Sequence, residues 1–268
     1  MHSRPDHSII EIQTPLRGAQ SISRAIALLR HVARHNDRGA RLSEISQHAG
    51  LTLSTTHRLL AVLSAEGLIT HDTVSKRYHL GIELYHLGST AYQYSIREHF
   101  RGALERIAQE TGDTVFLLIR SGNDALCIDR VEGSYPVRAV LVDIGSRRPL
   151  GIGVGSLSLI AFLPPDECET VISGNAVRYG RYKNLSAQDI RGLAKEAKQR
   201  GYAISHGLFH EGVISIGIPV INDQSEVLAG IAVTAITRRM DSQRRDVIFK
   251  LVCEILREEG LTSISFKR

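Results

Sequence analysis

The chain has 268 residues, 43% hydrophobic and 23% charged, with a formal net charge of +5 and a pI of about 9.2. That length favours roughly two domains with ordinary apolar cores, and no apolar run reaches the ~20 residues of a membrane-spanning helix, so the expectation is a cytoplasmic protein with no membrane partner. The first 90 residues hold ten Lys/Arg against seven Asp/Glu and nine of the twelve histidines, a mild basic excess that assists phosphate binding without by itself identifying a nucleic-acid partner.

Residues 1–18 are polar, are broken by Pro5 and Pro15, and read as a flexible arm without the apolar stretch of a signal peptide. From Ser21 onward Ile22, Ala25, Ile26, Leu28, Leu29 and Val32 recur at helical spacing. A turn at "NDRG" (36–39) precedes a short helix opened by Ser43 and Glu44, with Ile45 and Ala49 inward, which Gly50 stops. The next helix starts near Ser54, read as its N-cap, and Gly67 ends it. Leu68–Ile69 and Tyr78–Leu80 then read as short strands around a polar turn carrying Lys76 and Arg77. Helix, helix, tight turn, helix and hairpin is the order of a winged helix-turn-helix unit.

A helical wheel through "LSTTHRLLAVL" (53–63) sharpens this. Leu53, Thr56, Leu60 and Leu63 share the face expected to be buried, with Leu59 beside them. The opposite face carries Ser54, Thr55 and Arg58, with His57 on its flank. Short polar side chains at a helix N-terminus allow close approach to phosphate, and an arginine can read guanine through two hydrogen bonds. Thr56 points inward and is left out of the DNA contacts.

Residues 82–110 read as two helices in series, the second with Ile96, Phe100, Leu104 and Ile107 along one stripe. From Thr114 the texture turns to β-rich runs: "TVFLLIR", "ALCIDRV", "VRAVLV", "GVISIGIPVI" and "VLAGIAVTAI". Helical stretches lie near 155–173 and 187–200, and a last helix near 241–259. The expected class is α+β with a largely antiparallel sheet flanked by helices. Cys127, Cys168 and Cys253 lack metal-ligand spacing and read as packing residues.

"QSISRAIALLRHVARH", "LSEISQHAGLTLSTTHRLLAVLSAEGLI" and "YHLGIELYHLGSTA" resemble the DNA-binding domain of the IclR family of bacterial transcriptional regulators. "LERIAQETGDTVFLLI", "RRPLGIGVGSLSLIAFLP", "KQRGYAIS" and "GIPVINDQSEVLAGIAVTA" resemble that family's effector domain. The resemblance runs from about residue 20 to 260 in the family's order. It implies a winged helix-turn-helix domain at 19–81, a linker helix at 82–95 and a GAF-like effector domain at 96–262. It also implies homodimers or homotetramers, double-stranded operator DNA and a small-molecule effector as partners. Carried onto this chain, it makes Ser54, Thr55, His57 and Arg58 the recognition-helix contacts, Lys76 and Arg77 the wing contacts and Arg24 a backbone contact from the first helix.

Gly151, Gly153 and Gly155 precede a helix, but Ser156 stands where a dinucleotide fingerprint needs its third glycine, so nucleotide binding is rejected. The glycines instead leave backbone N–H groups free to meet a small anion. The resemblance places the effector at Gly153, Val154 and Gly155 of this loop, with Ser205, Ser215, Ala232 and Thr234 on neighbouring strands. The run after "GYA" is "ISHGLFHEG" where family members often carry acidic residues, and Ser215 stands where they often carry cysteine. The expected ligand is therefore a small organic acid of this chain's own kind. His206, His210 and Glu211 lack a clear metal-ligand arrangement, and no metal or cofactor is expected. A small-molecule enzyme or binding module, its helix-turn-helix serving only assembly, is the alternative. The chain carries no nucleophile elbow and no H-E-x-x-H helix to support catalysis.

Overall fold

The computed structural model describes residues 20–89, 92–136, 142–205 and 212–261. The chain folds as two compact units, residues 1–95 and 96–268. In the first unit α1 (Gln20–Arg34) leads to a two-residue strand β1 (Ala40–Arg41), α2 (Leu42–Ala49) and α3 (Leu53–Ala65). A hairpin of β2 (Ile69–Asp72) and β3 (Arg77–Leu80) follows, then α4 (Glu83–Ser89). β3 sits between β1 and β2, and every pairing is antiparallel. Leu28, Val32, Ile45, Leu60, Leu63, Ile69 and Tyr78 form one core, with each helix contributing its inward stripe.

The start of α3 differs from the sequence expectation in two ways. Thr52, not Ser54, is the N-cap: its backbone is extended, and its Oγ1 accepts the Thr55 N–H at 3.3 Å. Leu53, expected in the buried stripe, is 54% exposed. As the first helical residue it lies beyond the core that the next turn reaches. Thr56 is fully buried, and its hydroxyl donates to the Thr52 carbonyl at 3.0 Å, which satisfies the group without a partner from outside. Ile22 and Ile26 of α1, which recur at helical spacing with Leu28 and Val32, are exposed.

The second unit has α5 (Tyr92–Thr111), β4 (Thr114–Ser121), β5 (Asp124–Val131), β6 (Arg147–Pro149), α6 (Val154–Ala161), α7 (Pro165–Tyr179) and α8 (Ala187–Arg200). It continues with β7 (Ala203–Ile204), β8 (Val213–Ile221), β9 (Val227–Ile236) and α9 (Ser242–Glu258). The sheet is antiparallel throughout, in the order β6-β5-β4-β9-β8-β7. Helices cover both of its faces, which is why the strands read as nearly continuous apolar runs. Val115, Leu117 and Ile119 join α5 and α9 in one core; the alternate residue Phe116 joins α6, α7 and α8 in the other.

The single helix expected near 155–173 is two. Pro164 has ψ 142° and Pro165 is the first residue of α7, because a proline forces the residue before it out of the helical region. β6 and β7, three and two residues long, were not read as strands from composition. Of the run "VRAVLV", residues 137–141 lie outside the described residues, as do the arm 1–18 and residues 90–91.

Buried Asp129 ties α5 to β5. Its carboxylate accepts from Arg101 at 3.1 and 3.2 Å, and Arg97 stands 3.4 Å away. Asp113 plays the same part at the end of α5, 2.8 Å from Arg244 and 3.2 Å from Arg239.

Candidate DNA interface and ligand pocket

The outward face of α3 is polar at its N-terminal end, where Ser54, His57 and Arg58 are exposed. Thr55 is half-buried, and its Oγ1 accepts from the Thr52 hydroxyl at 2.9 Å. The weak helix formers thus divide into a capping group, Thr52 and Thr55, and a presented group, Ser54, His57 and Arg58. Exposed Val62 adds apolar surface that sequence reasoning did not assign to this face, and Leu53 is exposed at the helix start. Such side chains suit contact with thymine methyl groups.

The hairpin turn is organised by Asp72, whose carboxylate accepts the Val74 N–H at 2.9 Å. Lys76 is exposed at φ 58°. Arg77 Nη1 donates to the Gly39 carbonyl at 2.8 Å, pinning β3 to the end of the "NDRG" turn. Arg24 is exposed on α1.

In the same unit three histidines cluster. The His31 ring lies 4.5 Å from the rings of both His35 and His48, centroid to centroid. His31 is buried, and neither ring nitrogen has a hydrogen-bond partner. Burial, with His48, His35 and Arg34 adding positive charge, pushes its pKa down to about 4.

In the second unit the start of α6 is set directly onto the sheet. A Cβ on Gly217 would come within 2.1 Å of the Val154 carbonyl oxygen, and one on Gly230 within 2.4 Å of the Gly155 carbonyl oxygen. Glycine at both positions lets the helix backbone rest on β8 and β9. Gly153 precedes the helix with φ 89°, a conformation that side-chain-bearing residues rarely adopt.

A pocket opens beside this contact, with about 620 Å³ of space counting its open mouth. It brings together Gly153, Val154 and Gly155 with Ser205, Ser215, Ala232 and Thr234, all seven of the residues singled out from the sequence. Phe116, Leu118, Ala125, Val142, Ile152 and Val213 supply apolar wall. The hydroxyls form a short chain: Thr234 Oγ1 donates to Ser215 Oγ at 2.9 Å, and the Ser215 N–H donates to Ser205 Oγ at 2.9 Å.

Sequence reasoning missed Arg148 and Ser146, which also line the pocket. Arg148 lies on edge strand β6, paired with Ala125. Burial lowers its pKa, with the Tyr182 phenol acting the other way, and an arginine so placed stays charged at neutral pH.

The buried serines nearby are engaged locally. Ser156 Oγ accepts the Gly151 N–H and donates to the Pro149 carbonyl, and Ser158 donates to the Gly155 carbonyl. Among the described residues no group of three or more His, Cys, Asp or Glu is placed to hold a metal, and no helix is long and apolar enough to cross a membrane. His206, His210 and Glu211 lie outside the described residues. Cys127 and Cys253 are buried as packing residues, and Cys168 is half-buried.

Comparison with known proteins adds a family to this geometry. Residues 21–73 match the IclR helix-turn-helix domain, and residues 89–258 match the bacterial transcriptional regulator IclR C-terminal domain. The chain is 30% identical over 233 residues to the HTH-type transcriptional repressor AllR of Klebsiella pneumoniae, covering 85% of this chain and 84% of that protein. It is 28% identical over 205 residues to the HTH-type transcriptional regulator KipR of Bacillus subtilis, covering 76% and 81% respectively. Among solved structures, an IclR homolog from Microbacterium hydrocarbonoxydans complexed with 4-hydroxybenzoate shares the fold, with a TM-score of 0.75 at 20% identity over 90% of this chain and 98% of that one. With both units matched in chain order, the protein belongs to the IclR family of bacterial transcriptional regulators.

Proposed function

We infer that this IclR-type regulator binds operator DNA through its first unit and that a small organic acid, held in the pocket of its second unit, modulates that binding. The reading is carried by one observation: a single chain holds both an exposed polar helix face backed by leucines and a pocket with hydroxyl donors and a cation. α3 enters the major groove with Ser54, Thr55, His57 and Arg58 toward the bases or adjoining phosphates, and Leu53 toward thymine methyls. Lys76 meets phosphate from the wing and Arg24 from α1. Arg77 chiefly fixes the wing.

One short helix reads too few bases for specificity, so the working form is a homodimer or homotetramer on repeated half-sites. Exposed Ile82, Tyr85 and Leu87 around α4 offer apolar surface for the like segment of a second copy. The compartment is the cytoplasm, where the operator is. In the pocket, the α6 N–H groups and the hydroxyls of Ser205 and Ser215 hold the acid's oxygens, Thr234 orients the Ser215 hydroxyl by donating to it, and Val154 and Ala232 lie against the acid's apolar part.

The test is selection of bound duplexes from a random pool by wild-type protein and by Arg58→Ala, followed by titration of the selected complex with carboxylates, 4-hydroxybenzoate first. The wild type enriches a repeated motif and Arg58→Ala loses it while staying folded. Enrichment of the same motif by Arg58→Ala sinks the base-reading assignment, and no enrichment by either protein sinks the DNA-binding reading.

A further inference from the structure

The pocket is chemically asymmetric. Arg148 enters from edge strand β6, while the hydroxyls of Ser215 and Thr234 come from β8 and β9 on the far side of the sheet centre. β6 and β8, the strand that carries Ser215, stand four strand spacings apart, roughly 19 Å at about 4.8 Å per spacing. Phe116 of β4 and its register partner Ala232 of β9 provide apolar wall in that interval.

The two ends ask for different partners. A guanidinium presents a planar fork of N–H donors that matches a carboxylate through two parallel hydrogen bonds. Among the described residues that line the pocket, Arg148 is the one charged side chain, so the field inside favours an anion. The described residues at the other end are neutral. With Thr234 donating to Ser215 Oγ, and Ser205 Oγ accepting the Ser215 N–H, both serine hydroxyls keep a hydrogen to donate. That end suits a hydroxyl or carbonyl oxygen rather than a second full charge.

We propose that Arg148 is the carboxylate anchor of this pocket and that the effector is a small bifunctional acid lying with its carboxylate on Arg148, its apolar body against Phe116 and Ala232, and a neutral oxygen at Ser215. This rests on reading the second unit as effector-binding and adds to it an anchoring residue and an orientation.

Isothermal titration calorimetry on the full-length protein tests the proposal with two matched sets. One is 4-hydroxybenzoate, benzoate and 4-hydroxybenzamide; the other is 4-hydroxybutyrate, butyrate and 4-hydroxybutyramide. Within the set that binds, the hydroxy acid binds tightest. Arg148→Met weakens both acids by roughly tenfold to a hundredfold and leaves the amide within about twofold. Arg148→Lys keeps the charge and loses the fork, so its acids weaken several-fold and its amide does not. Ser215→Ala brings the hydroxy acid down to the affinity of the plain acid. If Arg148→Met does not fold, unchanged acid affinity in Arg148→Lys overturns the bidentate anchor. Equal acid binding by wild type and Arg148→Met overturns the anchor and leaves the effector reading standing; no heat from any probe on folded wild type overturns both.

Discussion

Acid should weaken the DNA-binding unit through one buried histidine. His31 is 7% exposed, and both ring nitrogens lack partners. Burial comes first among the causes that lower its pKa from 6.5 to about 4; the charges of His48, His35 and Arg34 follow, and Glu44 opposes them. A base whose folded-state pKa lies below its unfolded value is held neutral by folding. Its stabilising contribution is complete above pH 6.5 and is lost as the pH falls from there toward 4. The whole difference corresponds to about 3 kcal/mol, of which about 2 kcal/mol is lost between pH 7 and pH 5. That is a large fraction of the stability of a small domain. His48, also lowered chiefly by burial, adds to the loss in the same direction.

His31→Leu removes the titrating group and both unpartnered nitrogens at similar volume. The variant should be at least as stable as wild type at pH 7 and clearly more stable at pH 5. Urea unfolding of the full-length protein, followed by amide hydrogen exchange in α1 to α3, reads this unit separately from the other. Equal loss of protection on acidification in wild type and His31→Leu refutes the assignment of the acid sensitivity to His31.

Three further outcomes follow from named contacts. Thr52→Ala should cost about 1 kcal/mol by thermal unfolding and Ser54→Ala much less, because Thr52 is the cap; the reverse order contradicts the capping geometry. Asp129→Ala should cost about 2–3 kcal/mol in chemical denaturation. That lies below the cost of a fully buried pair, because Arg97 and Arg101 keep 37% and 38% of their side-chain surface exposed, and a cost near zero contradicts the tie between α5 and β5. Gly217→Ala or Gly230→Ala should lower the melting temperature by several degrees and weaken carboxylate binding together, because each added methyl collides with the α6 backbone; normal binding by both variants contradicts the close-approach account.

Much of this was legible because period and capping leave strong marks in sequence. The inward Thr56 follows from helical geometry alone, and "TVFLLIR" reads as a strand from its β-rich composition. What escaped has physical reasons. Two- and three-residue strands such as β7 and β6 are too short to show a period. Leu53 has the right wheel angle for burial but sits one turn before the core begins. The "LPP" that splits α6 from α7 was a readable breaker, outweighed by the apolar pattern around it. The pocket hydroxyls were found through the family resemblance, whereas Arg148 was not. A charged residue on a short edge strand is also what a protein uses to protect a sheet edge, so its sequence context does not separate the two roles.

Coupling between the two ligands is the central claim, and one paired titration tests it most directly. Fluorescence anisotropy gives the affinity for the selected duplex with and without a saturating carboxylate from the calorimetry panel, and calorimetry gives the affinity for that carboxylate with and without the duplex. The account predicts that the two ratios are equal and differ from one by at least severalfold, because linkage is reciprocal. It also predicts that duplex affinity falls steeply with salt. Two ratios equal to one, with both ligands bound, would contradict a regulator whose DNA binding answers to the pocket.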